Sequence, residues 1–205
     1  MEPKPMSKPK AILMFGAPGA GKGTIGSALC SFGGHYHLSS GDIFRGLPKE
    51  SESGKLFFQY ASNGKLVPDD VTIDIWWRYT KGLMDTNRFD PAKQYLFLDG
   101  LPRTKEQAKL IEEYVDVVQV IVLDITDEEV LFQRLGNRAK IEGRADDANR
   151  EIIVNRLKEY HAKTSPVLEH YSEDIISTIN AEQTPFEVLR DVLTATSGVL
   201  KQSVK

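Results

Sequence analysis

Cysteine is almost missing: Cys30 is the only one among 205 residues. That excludes an intramolecular disulfide and any zinc cage built from cysteines. A surplus of one charge is missing too. The net charge is −3, from 26 Lys and Arg against 29 Asp and Glu, so nothing in the overall balance suggests nucleic acid as a partner. No apolar run approaches the roughly 20 residues of a membrane-spanning helix. The opening MEPKPMSKPK has no apolar core of the kind a secretory signal needs. Internal repeats and low-complexity tracts are lacking as well. The expectation is a cytoplasmic protein with a short disordered leader over 1–9 and one domain over 10–205, long enough to bury a sizeable core.

What is present is an alternation. AILMFG (11–16) is a short, nearly continuous apolar run, the pattern of a strand buried on both faces of a parallel sheet. Similar runs recur at YLFLD (95–99), VVQVIVLDI (117–125) and IISTI (175–179). Helix-capable segments follow each run: KGTIGSALCSF, TKEQAKLIEEY (104–114), TDEEVLFQRLGNR (126–138) and TPFEVLRDVL (184–193). Thr126 with Glu129, and Thr184 with Glu187, have the spacing of a helix capping box. Strand and helix alternating in this way predict a parallel α/β sheet with helices on both faces. Two polar stretches break the rhythm, about 39–67 and 137–147, and read as excursions outside the sheet.

GAPGAGKGT (16–24) satisfies G-x-x-x-x-G-K between a predicted strand and a predicted helix, the context a phosphate-binding loop requires. Its glycines let successive N–H groups face one concavity, and the helix N-terminus adds positive potential. Lys22 would then reach the β and γ phosphates of a nucleoside triphosphate. The usual Ser or Thr directly after the lysine is replaced by Gly23, with the hydroxyl displaced to Thr24. A magnesium ion held through water and nucleotide oxygens is therefore expected, not one ligated by the loop. Asp99, closing the 95–99 strand where ligands of such sheets collect, is its anchor through water.

Six arginines, Arg45, Arg103, Arg134, Arg138, Arg144 and Arg156, lie in or beside the excursions and strand ends. A single arginine reads as a solvated surface charge. Together they suit two bound polyphosphates, whose mutual repulsion bidentate guanidinium groups offset. A hydrolytic switch needs fewer, and no N-K-x-D guanine motif is present.

Five collinear blocks carry a family resemblance: GAPGAGKGT, SSGDIFR (39–45), GKLVPDD (64–70), LDGLPRTKEQA (98–108) and RLGNR…GRADD…RLKEYHAKTSPVLEHY (134–171). In this order, from Lys10 to Leu193, the chain resembles adenylate kinase and related nucleoside monophosphate kinases. The resemblance implies a P-loop-type parallel sheet of five strands, with core segments 10–38, 68–136 and 148–205. It also implies a helical monophosphate-binding excursion over 39–67 and a short lid over 137–147. The reaction implied is reversible, magnesium-assisted transfer, ATP + AMP = 2 ADP.

By the same resemblance, Gly19, Ala20, Gly21, Lys22, Gly23 and Thr24 cradle the ATP phosphates. Arg134 packs on the ATP base, and Gln183 approaches it through its backbone. Ser40, Arg45 and the Lys65, Leu66 and Val67 backbone belong to the AMP site. So do Gly100, Leu101, Pro102, Arg103, which binds the acceptor phosphate, and Gln107, which hydrogen-bonds the acceptor base. Arg138, Arg144 and Arg156 close over the phosphates, with Asp146 and Asp147 supporting the closed lid. Only five residues separate Arg138 from Arg144, so the longer zinc-binding lid of many bacterial members is absent and no structural zinc is expected. A lid closed over both substrates excludes water and favours transfer over hydrolysis. Members of this form are expected to be monomers with small nucleotides as their only partners.

Several positions depart from the family pattern. Leu101 stands for an aromatic and is expected to reshape the acceptor wall. Ile25 replaces a common Gln, Pro48 is expected to shorten the helix carrying Arg45, and Asn180-Ala181 replaces Asp-Gly. Gln107 and Ser40 favour AMP as acceptor. UMP or CMP is the competing acceptor, and a nucleotide-binding regulatory protein without transfer is the competing class.

Overall fold

The computed structural model describes residues 8–200; the expected leader falls largely on 1–7, outside them. Lys8 and Pro9 belong to the fold: Pro9 O accepts from Asp116 N at 2.9 Å, and Lys8 donates to Glu112 O.

Five strands form one parallel sheet: β1 (Lys10–Gly16), β2 (Tyr36–Ser39), β3 (Leu96–Asp99), β4 (Asp116–Asp124) and β5 (Ile176–Asn180), in the order β2-β3-β1-β4-β5. The four apolar runs are strands, as expected. β2 escaped the apolar-run criterion because it is a four-residue edge strand, YHLS, in which only Leu38 is buried.

β1 lies at the centre and alternates strictly. Ala11, Leu13 and Phe15 join one core with Trp76, Trp77, Ile111 and Tyr114. Ile12 and Met14 face the other with Leu29, Val188 and Val192. Helices α1 (Lys22–Gly33) and α9 (Pro185–Leu200) cover the second face, while α4 (Asp69–Asp85) and α5 (Lys105–Ile111) cover the first. α4 buries Thr72, Ile73, Trp76, Trp77, Thr80 and Leu83, the 3.6-residue stripe of a core-facing helix.

The first excursion carries α2 (Ser40–Arg45) and α3 (Glu52–Ala61). α2 is only six residues long and ends at Gly46, two residues before Pro48. The second excursion is more helical than its polarity suggested. α6 (Glu128–Glu142) runs straight through 137–142, because that stretch contains neither Gly nor Pro. It stops only where Gly143 takes φ 66°, the left-handed stop common at helix ends. α7 (Ala145–Ala148) and α8 (Arg150–Glu159) follow, then a π-helical turn at Tyr160–Thr164.

The two anticipated capping boxes diverge. Thr184 and Glu187 form theirs: Thr184 N and Oγ1 both donate to Glu187 Oε2, at 3.0 and 2.7 Å. Thr126 does not cap α6. Its N–H and hydroxyl both go to Glu182 Oε1 at 2.8 Å, so Asp127 becomes the cap and accepts from Glu129 N at 2.9 Å.

Among the described residues, no helix is long and apolar enough to cross a membrane.

Candidate active site

β1 leads by α1 to β2 on one side, whereas β3 leads by α5 across to β4 on the other. The strand order reverses between β1 and β3, and the crevice at their carboxyl ends is where such sheets bind ligands. A cleft of about 870 Å³ opens there, near the top of the range for small-molecule sites. Every residue assigned above to nucleotide contact lines it except Leu101. Leu101 is 2 % exposed and belongs to the core cluster beside Ile43 and Ala108. It does not form the cleft wall that was expected of it.

The loop between β1 and α1 is built for close approach. A Cβ at Gly16, whose φ is +143°, would lie 2.6 Å from Leu123 O. At Gly19, with φ +91°, a Cβ would meet Leu135 Cγ at 3.1 Å. Lys22 folds back over the loop and donates to Gly16 O at 2.8 Å and Ala17 O at 3.1 Å. Burial lowers its pKa to about 8; Asp99 opposes that, and Arg103, Arg138 and Arg156 add to it.

Arg103 lies on the loop after β3, where the Leu101–Pro102 peptide is cis. Its Nε donates to Gly100 O at 2.7 Å, and Ser40 Oγ donates to the same oxygen at 2.7 Å. Burial lowers the Arg103 pKa to about 10, with Arg156 and Arg45 adding to the effect against Asp99. Asp99, 9 % exposed, is the carboxylate that opposes both shifts, with His37 Nε2 at 3.9 Å from its Oδ2.

The lid arginines are held from behind. Arg138 donates to both oxygens of Asp147, through Nε at 2.6 Å and Nη2 at 2.9 Å. Arg156 Nη1 reaches Asp147 Oδ1 at 2.6 Å and Asp146 Oδ2 at 3.0 Å. Burial would raise the Asp147 carboxyl, but Arg138 and Arg156 outweigh it and hold it below the usual range. Arg144 spans the cleft, 3.6 Å from Asp42 Oδ1 on α2, while its Nε pairs with Glu142 at 2.6 Å. Asp42 also accepts from Arg45.

Gln107 and Gln183 both line the cleft with occupied amides. Gln107 sits between Arg103 N and Asp69 Oδ1, each at 2.7 Å. Gln183 Nε2 donates to Asp191 at 2.6 Å.

Participants not singled out in the sequence include Asp42, Asp69, Glu142 and Thr164, whose hydroxyl donates to Arg103 O at 3.0 Å. Asp69 and Thr164 stand inside quoted motif blocks, but only the folded chain brings them to Gln107 and Arg103.

Magnesium prefers one or two carboxylates, water and substrate phosphates to an all-protein cage. The residues present fit that preference. Asp99 Oδ2 would lie 3.8 Å from a Cβ at Gly23, beside the phosphate loop. Among the described residues no group of three His, Cys, Asp or Glu forms a cage.

Comparison with known proteins agrees with this geometry. Residues 14–176 match the family model described as adenylate kinase. The adenylate kinase of Flavobacterium psychrophilum is 41 % identical over 169 residues, covering 80 % of this chain and 85 % of that protein. That of Parabacteroides distasonis is 39 % identical, covering 78 % and 83 %. That of Corynebacterium diphtheriae is 36 % identical over 190 residues, covering 92 % and 98 %.

Proposed function

The chain belongs to the adenylate kinase family of phosphotransferases, and from that premise we propose that its cleft transfers the γ-phosphoryl group of ATP to AMP, giving two ADP. The observation that carries this reading is that two buried cations, Lys22 and Arg103, whose pKa values burial lowers first and neighbouring cations lower further, line one cleft at the phosphate-binding loop. Two such cations suit two nucleotides brought end to end.

In this reading the loop N–H groups and Lys22 hold the donor phosphates, with Arg134 and the Gln183 backbone at the donor base. Arg103 and Arg45 hold the acceptor phosphate, and the Lys65–Val67 backbone lies beside the acceptor base. Arg138, Arg144 and Arg156 surround the transferring group. The acceptor oxygen is already ionised, so no side chain removes a proton. Catalysis is positioning plus charge stabilisation. Magnesium, when bound, would supply neutralising charge on the donor phosphates, and Asp99 is the residue that would hold it through water. Lys22 exchanges its bonds to Gly16 O and Ala17 O for phosphate oxygens. A cytoplasmic monomer that needs no other partner completes the proposal.

The test is turnover of the purified protein with ATP, Mg²⁺ and each of AMP, UMP, CMP and GMP. AMP should be fastest, and a faster pyrimidine nucleotide overturns the choice of acceptor. Arg103→Ala should lower kcat by about 10²–10³, the range for removing a group that stabilises transition-state charge. A near-normal rate in a folded variant removes Arg103 from the mechanism.

A further inference from the structure

Gln107 is 1 % exposed and yet borders the cleft. It occupies the third position of α5, where its N–H donates to the Thr104 cap at 3.1 Å. A glutamine at this position commonly turns back to cap the helix start. Here it spans two elements. Its Oε1 accepts from Arg103 N, and its Nε2 donates to Asp69 Oδ1 at the first residue of α4, both at 2.7 Å.

These two partners are chemically one-sided. A backbone N–H only donates, and a carboxylate oxygen only accepts. Rotating the amide by half a turn would set N–H against N–H and oxygen against oxygen, losing both bonds at once. The two ends of the Gln107 amide are therefore not interchangeable. Once these bonds are made, one oxygen lone pair and one N–H remain.

The direction matters because base edges come in two kinds. Adenine and cytosine present an exocyclic amino group beside a ring-nitrogen acceptor. Hypoxanthine, guanine and uracil present a carbonyl beside a ring N–H. An amide free to rotate satisfies either kind; one held in a single direction against a base held in place satisfies only one. We propose that Asp69 is a specificity-determining residue, which fixes the Gln107 amide so that the acceptor site takes the amino edge and rejects the oxo edge. This rests on AMP as the acceptor, which sets Oε1 toward the amino group and Nε2 toward the ring nitrogen. Asp69 touches no substrate; it acts through Gln107.

The AMP/IMP pair tests it, because the two nucleotides differ only at that edge. kcat/KM is measured for both, with ATP and Mg²⁺, in the wild type, Asp69→Ala, Asp69→Asn and Asp70→Ala. Asp70 lies in the same first turn and is exposed, so it controls for loss of charge at the helix start. Asp69→Ala should shrink the AMP/IMP ratio about tenfold, the discrimination of one hydrogen bond to a charged group. The change should come through KM for AMP, while KM for ATP stays near wild type and the thermal midpoint falls by a few degrees, as a lost buried hydrogen bond requires. Asp69→Asn keeps an acceptor oxygen and should retain most of the ratio, and Asp70→Ala should retain all of it. An unchanged ratio in Asp69→Ala, or an equal loss in Asp70→Ala, overturns the role of Asp69 and leaves AMP as acceptor. A wild type that turns over IMP or a pyrimidine nucleotide faster than AMP overturns the acceptor reading itself.

Discussion

Raising the pH should weaken ATP binding through one residue. In the unliganded protein Lys22 titrates near 8, against an ordinary value of 10.5. Its ammonium is then about nine-tenths charged at pH 7 and about one-tenth charged at pH 9. Phosphates beside Nζ favour the charged form, so binding at pH 9 must draw a proton from solution. The affinity should fall about tenfold between pH 7 and pH 9, or about 1.4 kcal/mol. Isothermal titration in two buffers of unlike ionisation enthalpy reads both quantities. Proton uptake due to Lys22 should be about 0.1 at pH 7 and about 0.9 at pH 9, taken as the difference from Lys22→Met. Stability of the empty protein runs the other way. Folded Lys22 loses its proton near 8, but the unfolded chain keeps it until 10.5. Between these values the unfolded state binds more protons, so this residue's contribution to stability rises with pH. Equal affinity at the two pH values, or the same pH dependence in Lys22→Met, refutes the reasoning.

Two further variants probe the frame around the site. Gly26→Ala would place a Cβ 2.4 Å from His37 Cδ2 and 3.0 Å from Met14 Sδ; overpacking of this kind costs about 1–3 kcal/mol. A lowered thermal midpoint should appear, with most of it recovered in Gly26→Ala/His37→Ala, and no recovery would rule out the clash. Asp147→Asn keeps the shape but leaves Arg138 and Arg156, 28 % and 22 % exposed, facing a neutral partner. Urea denaturation at pH 7 should show a loss of about 3 kcal/mol. Because the folded carboxyl is depressed, the difference should persist above the ordinary Asp range and close as pH falls through the lowered value. A difference independent of pH would contradict the ion-pair account.

The central strands were legible because burial on both faces leaves an unbroken apolar run, as in 11–16 and 117–125. β2 was not, since an edge strand with one partner and one buried residue needs no such run. The phosphate loop was legible because its glycines answer a local backbone demand. Leu101 misled for the opposite reason. Its neighbours in the DGLPR block face the cleft, but its own direction is set by the core beneath. Thr126 and Glu129 were read as a capping box from their spacing alone, and that reading failed because Glu182, 56 positions away, takes the Thr126 hydroxyl. The tie from Asp69 to Gln107 joins residues 38 positions apart, and no local periodicity could reveal it.

The position of β1 bears on how the chain is made. Synthesis proceeds from the N-terminus, so Lys10–Gly16 emerges before the other strands of its sheet. Yet its sheet neighbours are Leu96–Asp99 and Asp116–Asp124. α1 can shield Ile12 and Met14 soon afterwards, using Ile25 and Leu29. Ala11, Leu13 and Phe15 must wait for Trp76 and Trp77 and then for the strands themselves. Exposed apolar strands waiting for distant partners are prone to aggregate. For this chain that exposure should fall on Leu13 and Phe15, and it outlasts β4, because Phe15 meets the Tyr171 ring only later in the chain.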